Sequence, residues 1–210
     1  MNNYLSNLNW RYATKKFDSS KKLSKEQVLL LTEAVRLTPT SFGLMPYKVI
    51  VVENQHLKEQ LTAKAYGQAQ VSDSSHLFVF AAKTTVTQKY IEEFIEKVAK
   101  DKGMEVEALA AYKDMMVNFT KVMSPEQQQE WAAKQAYIGL GFLLNAAAQN
   151  QIDACPMEGF DPEGFDEVLG IKAQGLHSVV ICPVGFRSAE DFLAKAKKFR
   201  LPETEIFISK

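Results

Sequence analysis

Cysteine is scarce in this chain of 210 residues; Cys155 and Cys182 are the only two. They stand far apart in apolar, strand-like surroundings. A disulfide framework and a cysteine-based zinc site are therefore not expected, and a reducing cytoplasm is the expected compartment. Histidine is almost as sparse. His56, His76 and His177 are isolated and lack metal-ligand spacing. His76 and His177 flank strand-like segments and are expected to be structural. Neither sign of charge is in excess, with 25 Lys and Arg against 25 Asp and Glu, which argues against a nucleic-acid partner. No run of about 18 apolar residues occurs, so no membrane span is expected. The opening MNNYLSNLNWRY has no basic region followed by an apolar stretch, so a secretory signal is not expected either. No G-x-G-x-x-G follows a strand, since Gly139-Leu140-Gly141 lies in a helical pattern, and there is no G-x-S-x-G elbow. A Rossmann dinucleotide site and serine-hydrolase chemistry both lack support.

What is present is a substantial core. Hydrophobic residues make up 46% of the chain, and no linker or repeat divides it, so residues 1–210 are expected to form one domain. Asn3 to Trp10 reads as a short helix and Arg11 to Asp18 as extended chain. Ser24-Lys25-Glu26-Gln27 and Ser124-Pro125-Glu126-Gln127 are capping boxes that open helices. The first helix ends before Pro39. The second runs to about Asn150 and is apolar nearly all round beyond Gln135, which predicts burial on every side. Gly139 and Gly141 within it suggest tight packing or a subunit contact. Helices are also predicted from Asn54 to about Ala65, Thr87 to Lys102 and Val106 to Val122, with short ones opening at Asp161-Pro162 and at Ser188. Strands are predicted over Tyr47 to Val52, Leu77 to Lys83, Asp153 to Met157, Ser178 to Val184 and Ile206 to Ser209. Strands and helices do not alternate regularly, so the pattern points to an α+β sheet packed between helices.

Three short segments carry the functional signal: RYATKKFD (Arg11 to Asp18), CPMEGFD (Cys155 to Asp161) and KKFRLP (Lys197 to Pro202). A single basic cluster is usually a solvated loop, and a Pro-x-Glu-Gly turn alone is an ordinary strand exit. Two distant basic clusters framing that turn suggest one anionic ligand gripped from both ends of the sequence. In this order, with TPTSFGLMPYKVIVV between the first two, the segments resemble the nitroreductase family of FMN enzymes over nearly the whole chain. The resemblance is to the oxygen-insensitive NAD(P)H nitroreductases and their flavin-reductase relatives. It implies a mixed, mainly antiparallel sheet in an intertwined homodimer, with the long helix at the dimer core and the C-terminal segment wrapped onto the partner.

The same resemblance implies roles for individual residues. Arg11, Lys198 and Arg200 would hold the FMN phosphate, arginine because its planar fork matches phosphate oxygens. Lys15 would approach the flavin N1–C2=O edge, where a fixed ammonium stabilises the reduced ring. Tyr12 would lend mainly backbone. Ala13 stands where close relatives carry a phosphate-binding serine. Pro156 and Met157 would back the ring, and the N–H groups of Glu158 and Gly159 would point at flavin N5, glycine allowing the close approach. Pro39, Thr40, Ser41 and Gly43 would touch the flavin from the other subunit, with Phe42 facing substrate; Phe42 and Gly43 depart from the family pattern. Either Gln68 or Gln70 would set an amide against the flavin pyrimidine.

The activity implied is an FMN-dependent NAD(P)H oxidoreductase. It would pass two electrons in a ping-pong cycle to small-molecule acceptors such as nitroaromatics, quinones or free flavins, with the cofactor carrying the chemistry and the protein orienting it. The alternatives are a same-fold flavoenzyme with another acceptor, such as an enone, aldehyde or halogenated substrate, and a non-catalytic flavin-binding redox sensor.

Overall fold

The computed structural model describes residues 3–210. In chain order the helices are α1 (Asn3–Trp10), α2 (Lys25–Arg36), α3 (Gln55–Lys64), α4 (Gln70–Asp73), α5 (Gln88–Lys102), α6 (Ala110–Lys121), α7 (Pro125–Gln149), α8 (Pro162–Leu169) and α9 (Glu203–Ile206). The strands are β1 (Tyr47–Val52), β2 (His76–Lys83), β3 (Asp153–Ala154) and β4 (Leu176–Gly185). They form one sheet in the order β1-β2-β4-β3, every ladder antiparallel. Among the described residues parallel pairing occurs only at an isolated bridge between Ala13 and Ala154.

Helices cover both faces of this sheet, which is why β2 reads as an unbroken apolar run, HLFVFAAK, buried along nearly its whole length. On one face α2 and α7 set Leu31, Val35, Leu140 and Leu143 against Phe78, Phe80 and Val180. On the other, α3 and α8 bring Leu61 and Phe165 to Leu77, Val79 and Ile181. A third cluster lies outside the sheet, where α5 and α6 enclose Leu44, Ile91, Ile95 and Met116. Both capping boxes form. Gln27 N–H donates to Ser24 Oγ at 3.2 Å and Ser24 N–H to Gln27 Oε1 at 2.9 Å. Ser124 and Gln127 repeat the pattern with Pro125 in the first turn of α7.

The β2–β4 ladder contains a bulge. Phe80 pairs with Val180 and Ala81 with Ser178, so Val179 has no partner on β2. Buried Lys58 on α3 spans the gap between α4 and β2; its Nζ donates to the carbonyls of Ser72, at 3.2 Å, Ser74 and Ser75.

Four expectations need correction. The third strand stops at Ala154, with only a bridge from Met157 to Ile181 beyond it, because Pro156 has no N–H to offer a ladder. Ser188 opens a series of turns and no helix; its hydroxyl caps Glu190 N–H, and Asp191 then turns inward. The terminal strand is absent among the described residues. The chain makes α9 there, and Phe207 and Ile208 lie exposed with no strand beside them. Finally, α7 is not buried all round within one chain. Tyr137, Ile138 and Phe142 are 39–41% exposed along one stripe. Its two glycines differ accordingly. A Cβ on Gly139 would lie 2.9 Å from Tyr47 Oη and 3.4 Å from Phe80, whereas one on Gly141 would meet nothing within 4 Å.

Candidate functional site

Two buried carboxylates assemble the site. Asp191 accepts the backbone N–H groups of Lys15 and Lys16, at 2.8 and 3.0 Å, and of Leu193 at 2.9 Å. Burial works against its charge, but these donors hold its pKa below the ordinary carboxylate value. Asp153 accepts from Arg187 at both N–H and Nε, 2.8 and 2.7 Å, and from Thr14 Oγ1 at 3.3 Å. The segment after α1 is thereby pinned between β3 and the turns that follow β4. The guanidinium of Arg187 also stacks on Trp10 and Tyr12, with its carbon 4.1 and 4.5 Å from the ring centroids. Neither carboxylate nor Arg187 carried a sequence signal, because the partners they join are far away along the chain.

The result is a cleft of about 510 Å³ lined by Trp10, Arg11, Tyr12, Ala13, Arg187, Lys197, Lys198 and Arg200. The two basic clusters meet in it and no carboxylate lines it. Arg187 is neutralised by Asp153 and Lys198 is committed to the end of α1, where its Nζ donates to the carbonyls of Leu8 and Arg11. Among the described residues Arg11 and Arg200 have no acidic partner; Arg200 bonds the adjacent Phe199 carbonyl. Burial and then the charge of Arg200 lower the Arg11 pKa. Burial, then Arg11 and Arg200, lower that of Lys198. An anion placed between the guanidiniums would relieve both effects. Tyr12 contributes more than backbone, since its ring is part of the Arg187 stack.

Beside the cleft, Lys15 Nζ reaches 3.9 Å from Cys155 Sγ, at the entry to the Pro156–Gly159 turn. Burial raises the Cys155 pKa despite the opposing charge of Lys15. Met157 is held by reciprocal bonds to Ile181, 2.8 and 3.1 Å, with Pro156 between it and Cys155. Among the described residues the N–H groups of Glu158 and Gly159 have no acceptor. Two adjacent N–H groups without an acceptor suit a polar, electron-rich ring edge. Of the two candidate amides, Gln68 is tied to this turn, its Nε2 donating to the Gly159 carbonyl at 2.6 Å. Gln70 is buried in α4.

The loop Pro39–Gly43 is elsewhere. Phe42 has φ +57° and Gly43 φ +63°, turning the chain so that the Phe42 ring packs on Phe119, at 5.1 Å, and its carbonyl accepts from Tyr112 at 2.6 Å. Thr40 Oγ1 accepts from Met45 N–H and Ser41 N–H donates to Gln135. Within one chain none of Pro39, Thr40, Ser41, Phe42 or Gly43 lines the basic cleft.

A sequence model of the nitroreductase family matches residues 8–186. The chain belongs to the nitroreductase family. This nitroreductase-family chain is 35% identical over 201 residues to the oxygen-insensitive NAD(P)H nitroreductase of Salmonella typhimurium, covering 91% of this chain and 92% of that protein. It is 34% identical over 205 residues to the enzyme of the same description from Enterobacter cloacae, covering 93% and 94%. A crystal structure from Exiguobacterium sibiricum, described as a complex with FMN, superposes with TM-score 0.83 at 20% identity, covering 99% of this chain and 97% of that one. That last likeness shows the fold.

Proposed function

We propose that this chain is an FMN-dependent NAD(P)H oxidoreductase that works as a homodimer and reduces small-molecule acceptors such as nitroaromatics, quinones or free flavins. The observation that carries the reading is the meeting of Arg11 and Arg200 at one cleft, neither with an acidic partner among the described residues. When bound, FMN would supply two-electron transfer from NAD(P)H to the acceptor in two half-reactions at one ring face. Everything else is the work of the protein. Arg11 and Arg200 bind the phosphate, and Lys198 holds their two segments together. Lys15 would place a cation against the flavin N1–C2=O edge, and the Glu158 and Gly159 amides would orient N5. Gln68 fixes the turn that carries them. Pro39, Thr40, Ser41 and Gly43 would approach the flavin of the partner subunit and Phe42 would line its substrate slot; Gln68 or Gln70 would set an amide against the flavin pyrimidine, Pro156 and Met157 would back the ring, and Ala13 would stand at the phosphate.

The dimer is supported by the apolar stripe Tyr137, Ile138 and Phe142 beside the open Gly141 on α7, and by exposed Phe199, Leu201, Phe207 and Ile208 near the C-terminus. Purified protein tests the reading. It should be yellow, release FMN on denaturation, and oxidise NADH or NADPH with menadione or nitrofurazone. Flavin bound without turnover across such a panel would favour a non-catalytic flavin protein. No affinity for FMN would end the reading altogether.

A further inference from the structure

Tyr137, on the α7 stripe, reaches the proposed flavin turn. Its hydroxyl donates to Glu158 Oε1 at 2.6 Å. The length is that of a charge-assisted O–H···O bond. The next oxygen, the Val179 carbonyl, is 3.4 Å away, at the bulge where Val179 has no register partner on β2. The hydroxyl has a single proton, so the shorter bond to the carboxylate is the principal one. Burial, followed by the hydrogen bond to Glu158, raises the Tyr137 pKa, so the phenol stays protonated and remains a donor.

The bond matters because of what Glu158 would otherwise do. Among the described residues its own N–H and that of Gly159 have no acceptor, and a carboxylate beside unpaired amides is drawn to them. Turned back, it would occupy the donors meant for the ring and set a negative charge against it.

Resting on the FMN reading above, we propose that Tyr137 is a positioning residue: by holding the Glu158 side chain toward α7 it keeps the Glu158 and Gly159 amides free for the flavin and their surroundings free of an anion. Tyr137 acts through Glu158 and touches no reacting atom. Its effect falls on the reduced state, in which the ring has gained electron density and tolerates a nearby carboxylate least.

The test is the midpoint potential of bound FMN, measured with the intact holoprotein. Tyr137→Phe should shift the equilibrium toward oxidised flavin about tenfold, which for a two-electron couple is about 30 mV downward. In a Glu158→Ala background the same substitution should have no effect, since the carboxylate it releases is gone. Glu158→Asp, whose shorter arm does not reach the phenol, should lower the potential while Glu158→Ala does not. This second comparison leaves Tyr137 in place, so it decides the matter even if Tyr137→Phe folds poorly. An unaltered potential in both Tyr137→Phe and Glu158→Asp, or a shift that persists in the Glu158→Ala background, would overturn the role while leaving the FMN reading intact. Protein that binds no FMN would overturn both.

Discussion

Lys198 and Arg11, 187 positions apart, are joined by a hydrogen bond from the lysine Nζ to the arginine backbone carbonyl. With a second bond to Leu8, Lys198 caps the carbonyl end of α1, where a cation is favoured. One of the three residues expected to hold phosphate is thus engaged in holding the other two together. The division of labour is specific: Arg11 and Arg200 line the cleft with no acidic partner among the described residues, and Lys198 ties their segments together.

Lys15 should tune the flavin more than it binds it. A cation at N1–C2=O favours the electron-rich reduced ring over the neutral oxidised one. Lys15→Met should lower the midpoint potential by at least about 30 mV, roughly 1.4 kcal/mol for two electrons, and slow flavin reduction by NAD(P)H in stopped flow. Oxidised FMN should bind with much smaller loss. Equal potentials in variant and wild type, with flavin bound, would reduce Lys15 to a structural charge beside Cys155.

The two glycines of α7 make opposite predictions. Gly139→Ala puts a methyl 2.9 Å from Tyr47 Oη inside the fold, and overpacking of this kind costs about 1–3 kcal/mol. It should lower the urea midpoint of each subunit. A Cβ on Gly141 meets no atom of its own chain within 4 Å, so the damage of Gly141→Leu should appear in assembly. Analytical ultracentrifugation should find folded, dissociated, flavin-poor protein. A Gly141→Leu protein that remains a yellow dimer would place the interface elsewhere.

Local signals in the sequence were sufficient for most elements. The capping boxes at Ser24 and Ser124, the β-branched run Tyr47–Val52 and the basic clusters at Arg11 and Lys198 each announce themselves within a few residues. What sequence missed depends on distant partners. Asp191 is a polar residue in a turn until it meets the amides of Lys15 and Lys16. Arg187 is a lone cation until Asp153, Trp10 and Tyr12 surround it. Tyr137 is one aromatic in an apolar helix until its hydroxyl meets the Glu158 carboxylate and, at longer range, the Val179 carbonyl. The expected strand at Ile206–Ser209 failed for a related reason. Strand character needs a neighbouring edge, and α9 and its exposed tail have none in their own chain.

Lys58 predicts a pH dependence of stability. Burial, and then the charge of Lys22, lower its pKa from 10.5 to about 8, against the opposing pull of Asp73, Glu53 and Glu59. Between about pH 8 and 10.5 the folded protein has lost this proton while the unfolded chain still holds it. The unfolded state then binds more protons, so the Lys58 contribution to stability rises with pH across that window. Urea midpoints of wild type and Lys58→Met, compared from pH 7 to 10.5, should show a rising slope in the wild type that the variant lacks. Parallel curves would mean that Lys58 titrates normally.

The central claim is that both ends of the chain grip one phosphate. Isothermal titration of the flavin-free protein with FMN and with riboflavin, which lacks the phosphate, tests it most directly. The wild type should bind FMN far more tightly than riboflavin. Arg200→Ala should lose about 1.5–3 kcal/mol toward FMN, roughly tenfold to a hundredfold, with little change toward riboflavin. Equal affinity of the wild type for the two flavins, or an Arg200→Ala protein that binds FMN as tightly as wild type, would contradict the account.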